Sequence, residues 1–197
     1  MAPRAGNKAP LVLVDEWLGR PIPQTDPYIA RAELLRRYLR RYGPSTRGDF
    51  AAWVGVQAGD ADHWWRLIEN ELTQVGFGRG SWILTEDLNA LRAATPPKGV
   101  RLLPQRDPYT QMRDRETIVD EKHVRSVWKP VGEPGTVLAD SEIVGIWRPH
   151  KSGRKLTVRV DTFRSVPDGA KKALRQEAEQ VAELRGATSM DIVFGTL

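Results

Sequence analysis

The cations of this sequence are its best-placed chemical groups, and they concentrate in short stretches. Residues 148–155 carry four permanent cations and one histidine with only neutral residues between them, namely Arg148, His150, Lys151, Arg154 and Lys155. Because Lys and Arg displace the counterions of phosphate groups, a hairpin tip of this composition suits contact with a nucleic-acid backbone. The pattern predicts a phosphate-binding hairpin, with a solvated basic turn as the alternative.

A second group of cations lies on a predicted helix. The helix carries Arg36, Arg37, Arg40 and Arg41 beside an apolar stripe of Leu34, Leu35, Tyr38, Leu39 and Tyr42. Gly43 and Pro44 should end it, the glycine as a left-handed cap. Ser45 or Thr46 then caps a second short helix, with Asp49 in its first turn. Two helices joined so tightly indicate a helix-turn-helix, with an ordinary helical hairpin as the alternative.

The densest polar stretch of the second half is DPYTQMRDR, at residues 107–115. We expect Asp107 and Asp114 to pair with Arg113 and Arg115, in a loop that braces two domains. Direct contact of Arg113 and Arg115 with DNA is the alternative.

Several other kinds of site are not indicated. The sequence has no cysteine, which excludes disulfides and thiolate chemistry. His63, His123 and His150 lie in three different predicted elements, so we expect no zinc site, and no residue pattern indicates a metal or a small-molecule cofactor. No apolar run approaches the ~20 residues of a membrane helix, and the N-terminus lacks a signal-peptide pattern. We therefore predict a cytoplasmic protein without a membrane partner.

The charge distribution points to an anionic partner. The net charge is +5, and residues 98–197 hold 18 Lys and Arg against 14 Asp and Glu, whereas the first 97 residues hold 12 against 11. Most of the excess therefore lies in the second half.

The predicted elements around the cation-rich helix indicate a winged helix over residues 28–95. A third helix is expected at residues 58–72, strands at 74–77 and 81–84, and a helix capped by Thr85 at 85–91. We expect these elements to share one apolar core made of Leu34, Tyr38, Phe50, Trp53, Trp64, Ile68, Trp82 and Leu84. The third helix begins with Asp60 and Asp62 and offers only Arg66 as a base reader, which indicates a partly architectural role.

The prolines at positions 96 and 97 mark the clearest boundary. Before the winged helix, residues 1–27 read as a linker with one short strand at 11–14. After the boundary, residues 98–197 predict strands at 100–103, 136–139, 142–148, 155–160 and 189–194, and a helix at 168–184. The predicted fold class is α+β, a winged helix followed by a small antiparallel sheet or barrel covered by the C-terminal helix.

Four stretches carry a family pattern, reading LLRRYLRRYGPSTRGDFAAWVG, GVRLLPQRDPYTQMRDRETIV, GTVLADSEIVGIWRP and RGATSMDIVF. Together they resemble the winged-helix DNA-binding proteins related to the AlkZ and YcaQ DNA glycosylases, from about Leu11 to the end. The resemblance implies tandem winged helices and a β-rich part that clasp DNA. It also implies repair enzymes that excise alkylated bases and unhook interstrand crosslinks.

The departures from this family concern catalysis. The resemblance implies a catalytic Gln-x-Gln or Gln-x-Asp motif in an N-terminal winged helix, a module that we expect to be missing upstream of the matching residues. The strings that begin at Gln24 and Gln105 have the right letters but lack its apolar helical context, so we assign no catalytic residue. Ser141 stands where relatives commonly carry Gly, which predicts a slightly strained hairpin.

Three functions stay open at this stage. The main prediction is a winged-helix protein that binds double-stranded DNA through phosphates and shape. The alternative is an AlkZ/YcaQ-like glycosylase truncated of its catalytic N-terminal module, so that this chain alone is not expected to act as an enzyme. The third is an interaction scaffold that never meets DNA. The sequence does not predict the oligomeric state.

Overall fold

The computed structural model describes residues 11–76, 80–111 and 115–197. The chain divides into two compact units, with the boundary between Ala93 and Ala94, and each is described by itself.

The first unit has the element order of a winged helix. Its elements are α1 (Val14–Leu18), α2 (Pro27–Tyr42), α3 (Arg47–Val54), α4 (Ala58–Arg66), β1 (Leu72–Val75), β2 (Ser81–Leu84) and α5 (Leu88–Ala93). Strands β1 and β2 pair antiparallel, from Leu72 opposite Leu84 to Val75 opposite Ser81. Ser45 forms a backbone bridge to Trp82, which ties the turn between α2 and α3 to the hairpin.

Local sequence explains where α2 and α3 begin and end. Asp26 caps α2 by accepting hydrogen bonds from the Tyr28 and Ile29 amides. Thr46 caps α3 in a reciprocal capping box with Asp49. Gly43 has an extended backbone, so the expected left-handed cap is wrong. A Cβ at this position would lie 2.5 Å from the Leu39 carbonyl oxygen, so the glycine provides space rather than a special dihedral angle.

The core of the first unit is aromatic and only partly the predicted one. Tyr38, Phe50, Ile68 and Leu84 are buried as expected, and Leu35, Leu39 and Trp65 join them. Leu34, Trp64 and Trp82 are half-buried. Trp53 stays 48 % exposed while packing its ring against Tyr38 and Phe50.

Three local predictions in this unit are wrong. The expected strand at 11–14 is absent, because Val14 begins helix α1. The third helix ends at Arg66 and continues as a single 3-10 turn, Glu69–Glu71, so it is shorter than predicted. Thr85 opens a 3-10 turn without capping it, because its hydroxyl bonds to the Thr73 hydroxyl at 2.8 Å.

The second unit is a five-stranded sheet with a helix on one face, so the chain as a whole is α+β. Its elements are β3 (Val100–Leu103), α6 (Val124–Val127), β4 (Gly135–Ala139), β5 (Glu142–Ser152), β6 (Lys155–Thr162), α7 (Asp168–Leu184) and β7 (Ser189–Thr196). The strand order is β3-β4-β5-β6-β7. Among the described residues no pairing joins β3 to β7, so the sheet is open rather than a barrel.

The sheet is not wholly antiparallel, which corrects the predicted topology. Strands β3 to β6 pair antiparallel, but β7 runs parallel to β6, from Lys155 opposite Ser189 to Thr162 opposite Thr196. The reason is the intervening helix: α7 crosses over the sheet and returns the chain in the original direction, as in a strand–helix–strand unit.

Each face of this sheet has its own cover. Buried residues of one face pack against Leu174, Ala178 and Ala182 of α7. On the other face, Ile143 and Ile146 pack beneath Val119 and Val127, from the segment between β3 and β4. This second cover stops short of the β5–β6 hairpin, whose strands continue beyond it.

Candidate nucleic-acid interface

Three of the four α2 arginines that the sequence singled out are engaged in ion pairs within their own unit. Arg36 donates two hydrogen bonds to the Glu71 carboxylate, both at 2.7 Å. Arg37 donates to Glu33 at 2.8 Å, and Arg40 pairs with Glu86. Arg41 is exposed and has no ion pair within the described part of the chain.

These pairs shift the ionisation of their members in the expected directions. The Glu71 hydrogen bond raises the pKa of Arg36, and the Glu86 hydrogen bond raises the pKa of Arg40. The hydrogen bond from Arg37 lowers the pKa of Glu33. These cations are therefore already matched by carboxylates.

Two acidic side chains near α4 bind partners other than the arginines of α2. Asp49 belongs to the capping box, and Asp62 pairs with Arg47 at 3.2 Å. Arg66 hydrogen-bonds His63 at 2.7 Å. Arg36, Arg37 and Arg40 are thus neutralised by glutamates. Asp49 and Asp62 bind other partners.

The predicted basic hairpin has a shorter turn than expected. Strand β5 extends to Ser152 and pairs with Lys155, which leaves only Gly153 and Arg154 in the turn. Gly153 adopts φ +57°, the conformation that a two-residue hairpin turn needs. The pairing of β5 with β4 ends at Trp147, so Pro149 lies where β5 has a strand on one side only. The predicted turn at 149–154 is therefore mostly strand.

The hairpin cations point to two different faces, because side chains alternate along a strand. Trp147 on β5 and Leu156, Val158 and Val160 on β6 face α7 and are buried. The residues between them therefore face away from α7, on the same side of the sheet as Ile146 but nearer the hairpin turn. We call this group the basic sheet face, and it consists of Arg148, His150, Lys155 and Arg159.

Two guanidinium groups stand opposite each other on the basic sheet face. Arg148 is the direct cross-strand partner of Arg159. Arg159 is held by the largely buried carboxylate of Asp161, at 2.9 and 3.0 Å, and this hydrogen bonding raises its pKa. Among the described residues, Arg148 donates only to the Gly132 carbonyl, at 3.4 Å. Like charges opposite each other cost stability, so an anion bound here would relieve the repulsion.

Arg159 was missed in the sequence. It alternates with the buried Val158 and Val160, so the period of two along β6 already indicated an outward-facing cation.

The other cations predicted at the hairpin differ in their partners and exposure. Lys155 pairs with Asp191 at 2.6 Å. Lys151 faces α7, and its ammonium group donates to the Arg185 carbonyl and, at 3.5 Å, to that of Gly186. It therefore completes the C-terminal end of α7. The Arg154 side chain lies exposed at the turn, with no ion pair to any described residue.

The polar stretch 107–115 is only partly described, and Arg113 and Asp114 lie outside the described residues. Arg115 stacks over the Trp128 ring, 4.6 Å from its centroid. Asp107 accepts the Tyr109 amide at 2.9 Å. The expected pairing of Asp107 with Arg115 is therefore not formed, because each has a nearer partner.

The Gln-x-Asp strings occupy turns. The Asp26 carboxylate caps α2, and Asp107 shapes the turn that follows β3. In the second string, Arg106 lies between Gln105 and Asp107 and has φ +61°. Neither string lies within a helix.

The strain predicted at Ser141 lies one residue earlier, at Asp140, whose φ is +57°. The Asp140 carboxylate accepts the Gly99 amide at 2.9 Å, and its own amide donates to the Gly99 carbonyl. The Ser141 carbonyl accepts the Tyr109 hydroxyl.

A cleft of about 460 Å³ opens in the second unit between β5 and the segment that follows β3. On its wall, the His123 ring stacks on Phe163 with centroids 3.9 Å apart. Three carboxylates line it: Asp120, Glu142 and Glu116. Lys122 pairs with Asp120 and lowers its pKa, and Arg164 pairs with Glu142 at 3.6 Å. No pattern in the sequence indicated this cleft.

The described residues offer neither a metal-binding cluster nor a membrane-spanning helix. They contain no group of three His, Asp or Glu side chains able to hold a metal ion. No helix in them is long and apolar enough to cross a membrane.

Three comparisons with known proteins point to the same family. The model of a family described as DNA glycosylase AlkZ-like matches residues 1–184. The interstrand DNA cross-link repair glycosylase of Streptomyces sahachiroi is 29 % identical over 201 residues, covering 96 % of this chain and 52 % of the relative. The solved structure of Streptomyces sahachiroi DNA glycosylase AlkZ aligns with a TM-score of 0.77 at 27 % identity, covering 98 % of this chain and 53 % of that one. The chain thus spans about half the length of the relatives it matches.

Proposed function

The chain belongs to the DNA glycosylase AlkZ-like family, and we propose that it acts in DNA repair by holding duplex DNA through its phosphates, as the DNA-binding part of an AlkZ-like glycosylase. The observation that carries the proposal is the basic sheet face. There Arg148 stands opposite Arg159 and has no carboxylate partner among the described residues, and the exposed Arg154 lies at the adjoining turn. A duplex backbone would supply anions for Arg148 and Arg154, whereas Arg159 and Lys155 already have carboxylate partners.

Phosphate contact accounts for holding DNA but not for choosing a sequence. The α4 helix presents Asp60 and Asp62 near its start, and its Arg66 is already bonded to His63. A helix so equipped reads base edges poorly. We therefore expect the chain to bind DNA with little sequence preference, which suits repair because a lesion can occur in any sequence context. We expect this binding to take place in the cytoplasm.

Base excision needs a further group that positions water at the glycosidic bond. The Asp residues of the two Gln-x-Asp strings are engaged in capping and turn hydrogen bonds, and neither string has the helical setting of the family motif. We assign the chemistry to a part of the AlkZ-like architecture that this chain does not match, and the grip on DNA to this chain.

The test is a titration of the full chain with duplex DNA at several salt concentrations. Changing Arg148 and Arg154 together to Gln should weaken binding for every sequence and lower the salt slope by about 2, roughly 0.9 for each phosphate contact removed. The fold should be unaffected, because neither side chain has an ion pair among the described residues.

The matched control changes Arg37 and Arg40 to Gln, which removes the same charge from α2. Since these arginines already pair with Glu33 and Glu86, the salt slope should stay that of the native chain. Loss of binding in the α2 variant with retention in the hairpin variant would place the DNA on the first unit and overturn the assignment.

A second candidate function is favoured by the cleft: base excision by this chain itself. Glu116 lines the cleft and, unlike Asp120 and Glu142, has no ion pair among the described residues. A carboxylate of this kind could act as the general base for an attacking water.

A further inference from the structure

The loop that leads into β4 exposes an apolar tip beside the basic sheet face. It covers residues 129–134, and its bend carries Pro130 and Val131, which we call the apolar tip. Both residues are exposed, Val131 to 88 %. Single exposed hydrophobic residues are ordinary on a protein surface. The exposure of Val131 is therefore informative only through the setting of the loop.

Two arginines hold this loop at successive residues. Arg148 on β5 donates to the Gly132 carbonyl at 3.4 Å. Arg106 pairs with the largely buried carboxylate of Glu133 at 3.9 Å. Gly132 itself has φ +67°, and the prolines at positions 130 and 134 restrict the backbone on both sides of it. The apolar tip is thus carried by a constrained loop, so little conformational freedom is lost when it binds a partner.

The register of the sheet places this loop alongside the hairpin cations. Strand β4 begins at Gly135, whose partner on β5 is Trp147. The residues before Gly135 therefore run past the end of this pairing, beside the part of β5 that starts with Arg148. An exposed apolar group bordered by guanidinium groups fits a groove of duplex DNA, where phosphates border the stacked bases.

We propose that the apolar tip inserts from the minor groove between two base pairs of the DNA that the basic sheet face holds. Proteins that kink DNA insert Pro and branched aliphatic side chains in this way. Insertion unstacks one base step, and this costs least where a mispaired or damaged base has already weakened the step. The apolar tip therefore gives the chain a preference for weakened steps, which phosphate contacts alone do not supply. The inference rests on the proposed function and adds recognition of a structural defect to it.

The experiment measures the affinity of the full chain for two short duplexes, one fully paired and one with a single mismatched pair at its centre. Fluorescence anisotropy at several salt concentrations gives the affinity and the salt slope together. The native chain should bind the mismatched duplex at least about tenfold more tightly, because less stacking energy is lost there on insertion.

Substitutions at the apolar tip separate insertion from electrostatic binding. Val131→Ser should remove most of the mismatch preference and leave the salt slope unchanged, because no charge is lost. Val131→Leu keeps an apolar wedge and should retain the preference. The matched control is Leu184→Ser, because Leu184 is 87 % exposed on α7, which packs on the opposite face of the sheet. It should bind both duplexes as the native chain does. Both positions are so exposed that these changes should leave the fold intact.

Three results overturn the proposal. The first is equal affinity of the native chain for the two duplexes. The second is a full mismatch preference in Val131→Ser. The third is equal weakening of both duplexes by Val131→Ser, which would show that the side chain packs outside the base stack. The same titrations give the salt slope, so binding that still depends on Arg148 and Arg154 leaves the proposed function standing in each case. Absence of binding to either duplex overturns both.

Discussion

Lys151 and Arg154 show how two cations three residues apart can serve different purposes. Lys151 donates to the last carbonyls of α7, whereas Arg154 projects from the turn without an ion pair among the described residues. The sequence placed both at one phosphate-binding tip. It could not separate them, because the end of β5, and therefore the face on which each residue lies, is set by pairing with β6.

Changing Lys151 to Met should therefore affect folding and not DNA binding. A cation at a helix C-terminus contributes about 0.3–1 kcal/mol, so the free energy of unfolding should fall by that amount while the salt slope of DNA binding stays unchanged. Arg154→Met should instead lower the salt slope of DNA binding and leave the free energy of unfolding unchanged. Urea unfolding and DNA titration of both variants provide the measurement, and equal effects of the two changes on the salt slope would contradict the assignment.

The Arg36–Glu71 pair should make the free energy of unfolding depend on pH. Hydrogen bonding to Arg36 lowers the pKa of Glu71. A carboxyl group whose pKa is lowered by folding stabilises the protein above its ordinary pKa, and this contribution disappears as the pH falls through the folded value. Arg36→Met should thus cost up to about 1 kcal/mol at neutral pH, since the pair is partly exposed, and almost nothing in acid.

Thermal unfolding of the native chain and of Arg36→Met at neutral and acid pH measures this difference. A gap that persists once Glu71 is protonated would show that Arg36 acts through packing of its aliphatic stem instead.

At the level of elements, Gly135 in the second unit leaves no room for a side chain. A Cβ there would lie 2.3 Å from Trp147 Nε1 and 2.7 Å from the Leu103 carbonyl oxygen, which already accepts the Trp147 indole N–H at 2.7 Å. Gly135→Ala should therefore destabilise the chain by about 1–3 kcal/mol through overpacking. Gly169 on α7 has nothing within 4 Å of its Cβ position, so Gly169→Ala should be neutral or slightly stabilising. Chemical denaturation compares the two, and equal stabilities would refute the close-packing argument.

Elements with a strong period were predictable and those fixed by long-range pairing were not. Helix α7 and strand β3 have the predicted bounds, because their apolar spacing repeats within a few residues. The parallel direction of β7 depends on the crossover of α7, which no local pattern in β7 records. The apolar run at 11–14 has the composition of a strand but no strand partner among the described residues.

For the whole molecule, motif spacing and comparison gave the family, and the sequence suggested the hairpin cations, but only the fold showed which of them share a face. The opposition of Arg148 and Arg159 joins residues eleven positions apart through the register of β5 and β6. The cleft is lined both by Glu116, from the segment after β3, and by Arg164, which follows β6. Such neighbours are set by topology, which explains why the sequence suggested the hairpin cations but neither the face they share nor the cleft.

The proposed division of labour leads to a prediction about activity. The full chain, incubated with N7-alkylated or crosslinked duplex, should bind the DNA and release no base above background, because the proposal gives it phosphate contacts and the described residues hold no helical Gln-x-Gln or Gln-x-Asp motif. Abasic sites are counted after strand cleavage at those sites. Base release that survives Gln24→Ala and Gln105→Ala but is lost in Glu116→Gln would show instead that the cleft is catalytic. Since Glu116 has no ion pair among the described residues, its neutral isostere should leave the fold intact, so such a loss would report on the reaction itself.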